Sequence, residues 1–325
     1  MQMKLCLESW NLKAPFCTSR FCISKSNVLT VELQDGEFTG RGECEPHEYD
    51  AAITQAVVDS IERLRPAVEA GMDRHALHHL LPAGPARNAI DGALWDLDAK
   101  RAGRRAWELA GVALDSPLTT AYTISLGSPG EMAGQAGENR GRPLLKLKLG
   151  KEKGLAIVEA VRRAAPDARL IVDVNGAWNI DDLNGIADSL AGLGVELIEQ
   201  PLAAGDDEEL CDYSGTVPLC ADESCLDTSS LSTLSEKYSY INIKLDKTGG
   251  LTEALRLVEA AKRRSLGIMV GCMTGTSLAI APAMVIGAMA EFCDLDGPLL
   301  LEKDRTPGLT YENGLIRVPT PDIWG

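Results

Sequence analysis

The sequence predicts an α/β protein: a barrel of alternating parallel strands and helices, with a smaller α+β domain beside it. Short apolar runs rich in β-branched residues recur through the middle of the chain. Each run ends at one charged residue, and a helical pattern follows it. Roughly 25 residues separate neighbouring runs, about the length of one strand, one helix and two loops. In such a barrel the carboxyl ends of the strands meet at one face. The residues that end the runs are Lys148, Asp173, Glu199, Asp222 and Lys244.

Length and composition indicate a folded enzyme. The chain has 325 residues, 45% of them hydrophobic, which is enough for one barrel and a small domain and argues against disorder. A net charge of -15 argues against nucleic-acid binding, which needs basic residues to meet phosphates. No run approaches the roughly 20 apolar residues of a membrane span, and the N-terminus does not resemble a secretory signal. We therefore expect a cytoplasmic protein that binds neither nucleic acid nor membrane.

The nine cysteines are scattered and no pair has C-x-x-C spacing. Several lie in strand-like runs, and an intracellular chain seldom carries disulfides. The sequence therefore predicts free, buried thiols.

Residues 1–116 have the pattern of an α+β capping domain. Alternating apolar residues at the start predict two strands, and Asp35-Gly36 is a plausible hairpin turn. Helical patterns follow over residues 50–70 and after Pro85. Strands first and helices after are typical of an α+β unit.

The rest of the chain divides into the barrel, residues 117–296, and a tail, residues 297–325. The tail contains the turn pairs Pro307-Gly308 and Asn313-Gly314 between alternating residues. We expect it to fold back onto the capping domain.

Three acidic residues among apolar neighbours, Asp173, Glu199 and Asp222, are candidate metal ligands. An isolated buried carboxylate is costly, so each should be paired, metal-bound or reached by solvent. A set of oxygen ligands without Cys or His suits Mg²⁺ better than zinc. The alternative is a set of salt bridges at the top of the barrel.

Lys146 and Lys148 lie two apart on one strand and therefore share a face, while Lys244 ends a strand four positions further round the barrel. Neighbouring cations are expected to lower the pKa of a lysine in this group, so that it can act as a base. Two bases on opposite sides of one carbon can carry out a 1,1-proton transfer. The alternative is a solvated strand edge.

Asp294 and Asp296 are expected to share a face at the end of the eighth strand and to bind a substrate ammonium; a turn or helix cap is the alternative, since Gly297-Pro298 follows. His75, His78 and His79 are predicted to lie on a solvated helix face. Phosphate-binding loops and the serine-hydrolase motif are absent from the sequence.

Five motifs in order resemble those of the enolase superfamily, specifically its muconate-lactonizing subgroup. They are K-L-K at 146–148, D-V-N at 173–175, E-Q-P at 199–201, D-E-S at 222–224 and N-I-K-L-D-K-T-G-G at 242–250. In addition, D-L-D at 294–296 resembles the D-x-D of the dipeptide epimerases in that subgroup. The resemblance covers nearly the whole chain. It implies a modified (β/α)7β TIM-type barrel, capped by an α+β domain formed from the N-terminal segment and the C-terminal tail.

The resemblance also implies a reaction, the interconversion of L-Ala-D-Glu and L-Ala-L-Glu, and a role in recycling cell-wall peptides. One Mg²⁺ per subunit would be held by Asp173, Glu199 and Asp222. Lys148 would serve the D-configured substrate and Lys244 the L-configured one. A homo-oligomer would be compatible with this reading. The residues implied to bind the dipeptide are Lys146 (carboxylate), Asp294 and Asp296 (α-ammonium), Arg20 (γ-carboxylate), and Thr123, Asn175, Gly271, Cys272 and Met273.

Two alternatives remain open. A cycloisomerase or an o-succinylbenzoate synthase-like lyase would share the fold, but its substrate has no ammonium to balance Asp294 and Asp296. A non-catalytic barrel that only binds peptides would not need a lysine on each side of its ligand.

Overall fold

An antiparallel sheet of three strands opens the chain, in a computed structural model that describes residues 1–46, 51–152 and 154–325. The predicted hairpin at Asp35-Gly36 is confirmed, because Asp35 pairs with Phe38 across the turn and Gly36 has a φ of 60°. The sheet consists of β1 (Gln2–Cys17), β2 (Cys22–Asp35) and β3 (Phe38–Cys44).

Among the residues that the structure describes, four helices follow the sheet, and the long third one packs directly on β3. Gly42 permits this contact, since a Cβ there would lie 2.1 Å from the carbonyl oxygen of Ala89. The helix predicted over 50–70 is present from Ala51, and position 50 lies outside the described residues. These helices are α1 (Ala51–Glu69), α2 (Arg74–Leu80), α3 (Pro85–Ala102) and α4 (Ala106–Leu109).

Eight parallel strands form the second sheet, in the order in which they occur along the chain. Its first and last strands meet where the amide of Ala121 donates to the carbonyl of Cys293 over 2.8 Å, so the sheet curves into a barrel. The predicted α/β barrel with a capping domain is thus confirmed. After β4 (Leu118–Thr119), the barrel strands are β5 (Tyr122–Ile124), β6 (Leu144–Lys148), β7 (Arg169–Asp173), β8 (Val195–Glu199), β9 (Leu219–Ala221), β10 (Tyr240–Ile243), β11 (Gly267–Gly271) and β12 (Phe292–Asp294).

Helices cover the outside of the barrel except after β8. There the described chain forms only a short 3-10 turn, at Asp207–Asp212, so the prediction of a helix after every strand is wrong at this place. After β9 a 3-10 turn at Thr228–Ser230 leads into a single helical turn at Leu231–Leu234. The acidic run before Leu210 has no apolar periodicity to hold a longer helix against the sheet. The helices are α5 (Pro129–Glu138), α6 (Gly154–Ala164), α7 (Ile180–Gly192), α8 (Leu231–Leu234), α9 (Leu245–Thr248), α10 (Leu251–Lys262), α11 (Ser277–Gly287) and α12 (Gly297–Leu300).

A layer of apolar side chains fills the barrel below its carboxyl-terminal face, so the barrel is closed at the bottom. Its members lie around the barrel, with Ala121 directly before β5 and the partly buried Tyr240 of β10 packed against them: Ala121, Leu144, Ile171, Leu197, Cys220, Met269 and Phe292. The space for a polar site inside the barrel therefore lies at the upper end.

The tail packs back on the capping domain. The indole Nε1 of buried Trp324 donates to the carbonyl of Gly92 over 3.0 Å, while β13 (Tyr311–Glu312) and β14 (Leu315–Ile316) extend a small sheet with β4. Division of the chain at residues 116 and 296 stays a prediction. Within the described ranges, no helix combines the length and apolarity of a membrane span.

Candidate active site

A cavity of about 170 Å³ lies at the carboxyl ends of the barrel strands, under the loop that joins β1 to β2. Most of the predicted site residues line it. Asp173 and Glu199 lie beneath its floor and are fully buried, and Gly271 does not line it. The predicted residues that do line it are Arg20, Thr123, Lys146, Lys148, Asn175, Asp222, Lys244, Cys272, Met273, Asp294 and Asp296.

The strand register brings the three carboxylates together. Asp173 is the partner of Lys148 on one side and of Glu199 on the other, and Asp222 follows two residues after Cys220, the next partner. One oxygen from each of Asp173, Glu199 and Asp222 lies within 4.8 Å of the other two. Such a group is the size of a single cation site.

Burial and neighbouring charges together shift the pKa values of these carboxyl groups. Burial would raise the pKa of Asp173, but Lys146 and Lys148 outweigh it and lower that pKa to about 2. Glu199 differs, since burial and the charge of Asp173 raise its pKa to about 8. The negative charge of Glu199 is therefore only partly balanced by the lysines around it.

Glu199 also has an oxygen without a hydrogen bond. Its Oε1 accepts from Asn242 Nδ2 over 2.7 Å. Its buried Oε2 lies 2.7 Å from Lys146 Nζ without hydrogen-bond geometry, and no other described residue donates to it. A buried acceptor left in this way, in a set of oxygen donors, fits the coordination of a hard divalent cation.

Lys146 lies at the centre of the acidic group. Its Nζ is 2.7 Å from Asp294, 2.7 Å from Glu199 and 3.0 Å from Asp173. Burial alone would lower the pKa of Lys146, but these carboxylates raise it well above its usual value. The nearest charged neighbours of Lys146 are therefore anions, rather than the cations from which a lowered lysine pKa was expected.

Lys148 and Lys244 stand on separate strands and both line the cavity. Lys148 Nζ donates to Asp173 Oδ2 over 2.5 Å, and Lys244 Nζ to Asp222 Oδ2 over 2.6 Å. Burial would lower the pKa of Lys244, but Asp222 and Glu199 raise it, again opposite to the expectation. In the barrel order, β6 and β10 are four strands apart, so the two amines face one space from different sides.

Asp294 and Asp296 lie side by side, and Thr123 donates a hydrogen bond to each of them. Thr123 donates from its amide to Asp296 over 2.6 Å and from its hydroxyl to Asp294 over 3.2 Å. Asp296 lies beyond the end of β12, at the residue that precedes α12, rather than on the strand as predicted. Burial, with Asp294 beside it, raises the pKa of Asp296 to about 7.

Arg20 lies in the loop between β1 and β2, which we call the lid (residues 18–21). Its Nε donates to the carbonyl of Asn175 over 3.1 Å, and the hydroxyl of Ser19 donates to that of Val174. The lid thus rests on the loop after β7.

A Cys17–Cys22 disulfide joins the two ends of the lid. The prediction of free thiols is wrong for these two residues, because the β1–β2 register places them directly opposite each other. The prediction of burial is also wrong for exposed Cys211 and for the half-buried Cys6 and Cys272. Buried free thiols occur at Cys44, Cys220, Cys225 and Cys293.

Three contributors to the site were missed from the sequence, although each stands in a quoted motif. Lys247 Nζ contacts Asp222 Oδ1 over 2.5 Å, one helical turn after Lys244. Gln200, at a φ of 37°, accepts from the amide of Asp222 over 2.9 Å. Glu223 lines the cavity beside Arg20. Their charge or polarity within apolar runs was the available signal.

Gly271 lies outside the cavity lining and affects the site through Asn242. A Cβ at this position would lie 2.7 Å from the side-chain oxygen of Asn242, the residue that donates to Glu199. Glycine leaves room for this buried amide. The histidines of α2 lie away from the site: His75 and His79 are exposed, and His78 is half-buried.

Comparisons of the whole chain agree with this geometry. A family model described as "Mandelate racemase / muconate lactonizing enzyme, N-terminal domain" matches residues 1–111, and "Enolase C-terminal domain-like" matches residues 131–322. The L-Ala-D/L-Glu epimerase of Escherichia coli K12 is 41% identical over 97% of this chain and 99% of that protein. An N-acetyl-D-glutamate racemase of a Pseudoalteromonas species is 40% identical over 92% of this chain and 95% of that protein.

Solved structures show the same architecture. An enolase family member from Agrobacterium tumefaciens, described as homologous to dipeptide epimerases and holding sodium and L-Ala-L-Glu, superposes with a TM-score of 0.96. It is 45% identical, and the match covers 99% of both chains. This chain therefore belongs to the enolase superfamily, in the group of the mandelate racemase and muconate lactonizing enzymes.

Proposed function

We propose that the chain is a dipeptide epimerase that interconverts L-Ala-D-Glu and L-Ala-L-Glu. One observation carries the proposal: two buried lysines, Lys148 and Lys244, reach one small cavity from strands four positions apart. Epimerisation needs a base that removes the α-proton and an acid that returns one from the opposite side. The relatives named L-Ala-D/L-Glu epimerase support the same reaction.

Asp173, Glu199 and Asp222 would hold one Mg²⁺ per subunit, at the carboxylate end of the dipeptide. Their oxygen-only donor set supports this assignment, as does the Oε2 of Glu199, which accepts no hydrogen bond from the described residues. When bound, the ion offsets the negative charge that develops on the substrate carboxylate as the α-proton leaves.

The lysines move the proton. In the D-to-L direction, neutral Lys148 Nζ accepts the α-proton, and the C–H electron pair passes into the adjacent carboxylate as an enolate. Lys244 Nζ then donates a proton to the opposite face, and the electron pair returns to form the new C–H bond. Burial would lower the pKa of Lys244, but Asp222 and Glu199 raise it, which favours the protonated form that this direction requires.

The remaining residues would position the dipeptide. Lys146 would contact its carboxylate, and Arg20 the γ-carboxylate. Asp294 and Asp296, fixed by Thr123, would bind the α-ammonium. Asn175, Cys272 and Met273 would form the walls, with Gly271 behind them.

The buried aspartate pair favours a dipeptide over substrates that lack an amine. A cycloisomerase or lyase substrate would leave Asp294 and Asp296 without a positive partner from the ligand, at a cost in binding. N-acetyl-D-glutamate, the substrate class named for one relative, has the same limitation.

Proton NMR in D₂O with Mg²⁺ tests the proposal. L-Ala-D-Glu should lose its glutamate α-proton signal while the L,L isomer accumulates, and N-acetyl-D-glutamate should react far more slowly. Faster exchange of N-acetyl-D-glutamate would replace the dipeptide with an N-acyl amino acid. Mg²⁺ binding without exchange of either compound would support a non-catalytic binding barrel.

Further features of the proposal are biological. We place the reaction in the cytoplasm, in the recycling of cell-wall peptides, with no nucleic-acid or membrane partner and with a homo-oligomer as a possible assembly.

We also propose residues 1–116 as the capping domain, 117–296 as the barrel and 297–325 as the tail, which the separate apolar core of the capping domain supports.

A further inference from the structure

Glu223 lies between the lid and the barrel. It follows Asp222 in the loop after β9, and its Oε1 is 3.3 Å from Arg20 Nη1. The same oxygen accepts from Asn175 Nδ2 over 3.3 Å. Its side chain is 20% exposed, against 48% for Arg20. The lid arginine therefore has a fixed, mostly buried anion as its neighbour.

The contacts of Arg20 occupy part of its guanidinium. Nε donates to the Asn175 carbonyl and Nη1 forms an ion pair with Glu223, whereas neither a hydrogen bond nor an ion pair joins Nη2 to the described residues. An arginine offers five N–H donors, so this anchoring leaves donors for a ligand. Both Arg20 and Glu223 line the cavity.

Glu223 has spare capacity as well. Its Oε2 is buried and accepts no hydrogen bond from any described residue. The second oxygen is therefore not used to hold the lid, and the carboxylate lies beside Arg20.

We propose that Glu223 is a positioning residue that sets how strongly the Arg20 subsite prefers an acidic over a neutral second residue of the dipeptide. It holds the guanidinium through Oε1 and at the same time cancels part of its charge. This deepens the proposed function and rests on it, since Arg20 meets the substrate side chain only in that reaction. A chain with this pair should accept neutral side chains better than one with a lone arginine.

The test compares L-Ala-L-Glu with L-Ala-L-Gln, which have nearly the same shape and differ in charge. The readout is the ratio of their kcat/KM values, measured on one preparation, so that the fraction of folded enzyme cancels. Glu223→Gln keeps an oxygen for Arg20 but removes the charge. We expect the ratio to rise roughly two- to fivefold, the scale of a partly exposed ion pair, through KM for the acidic dipeptide rather than kcat.

Arg20→Gln provides the matched background. It should bring the ratio close to one, and adding Glu223→Gln should then change it no further, because coupled residues are not additive. An equal change of both dipeptides in Glu223→Gln, or an effect that persists without Arg20, would overturn the proposal. An effect of Glu223→Gln transmitted through the neighbouring Asp222 would lower the affinity for Mg²⁺. Calorimetric titration of the variant with Mg²⁺ tests for this, and a loss of affinity would contradict the proposal. A wild-type enzyme that exchanges neither dipeptide would instead refute the proposed function.

Discussion

At the scale of single residues, the site depends on lysines that are held by acids. Lys148 contacts Asp173 and Lys244 contacts Asp222, so each amine is fixed by a carboxylate of the proposed metal site. The position of each amine is thus tied to the acidic group rather than to the flexibility of a long side chain. Fixed donors and acceptors of this kind lower the cost of reaching the reactive geometry.

Replacing one lysine should remove either the acceptance of the α-proton or its return, depending on the configuration of the substrate. Lys244→Ala should slow epimerisation by about 10² to 10⁴-fold, the usual contribution of a positioned acid or base. Lys148 should still exchange the α-proton of the D-configured dipeptide with D₂O, as followed by NMR. Lys148→Ala is the matched variant and should exchange only the L-configured dipeptide. Normal interconversion by either variant would rule out the two-base assignment.

At the scale of elements, the spacing of the motifs was sufficient to predict the barrel and the carboxylate group. Strand register then brought Lys148, Asp173 and Glu199 into one row, as parallel pairing requires. The shortened helices near Asp207–Asp212 and the place of Asp296 beyond β12 were not predictable from spacing, because both depend on local packing. The Cys17–Cys22 pair required the register of a hairpin that only the fold supplies.

The last residue of β11, Gly271, offers a test of how a position outside the cavity supports the site. In Gly271→Ala the new methyl group would displace Asn242 and so remove the hydrogen bond to Glu199. We expect Mg²⁺ affinity to fall roughly 10- to 100-fold in calorimetric titration, as for other groups that orient metal ligands. Gly134→Ala in α5 is the control, since a Cβ there meets nothing within 4 Å. Unchanged affinity in Gly271→Ala would remove Asn242 from the metal site.

At the scale of the whole molecule, a buried polar contact joins the capping domain to the barrel beside Lys244. Asp246 accepts from Asn88 Nδ2 over 2.7 Å and from the amide of Glu45 over 3.3 Å. Burial raises the pKa of Asp246 to about 7, with Glu43 adding to the rise and Lys244 opposing it. The protonation state of one aspartate therefore affects how the two parts hold together.

This contact should make stability depend on pH. Because the folded-state pKa of Asp246 is raised from 3.8 to about 7, its contribution is complete below about pH 4 and is lost as the pH rises through 7. Between pH 5 and pH 8 the wild type should lose about 2 to 3 kcal/mol more unfolding free energy than Asp246→Asn. Urea denaturation at both pH values measures the difference. Exposed Asp167→Asn should follow the wild type, and equal losses in all three proteins would contradict the assignment.

The bridge between Cys17 and Cys22 exposes the lid to reduction or oxidation by thiols in its surroundings. In a reducing cytoplasm such a bond tends to open, whereas in an aerated buffer it persists. The lid that carries Arg20 would then be a closed ring under oxidising conditions and an open loop under reducing ones. Enzyme handled with and without a thiol reductant would consequently be two forms of one catalyst, and the affinity measured for one would not describe the other.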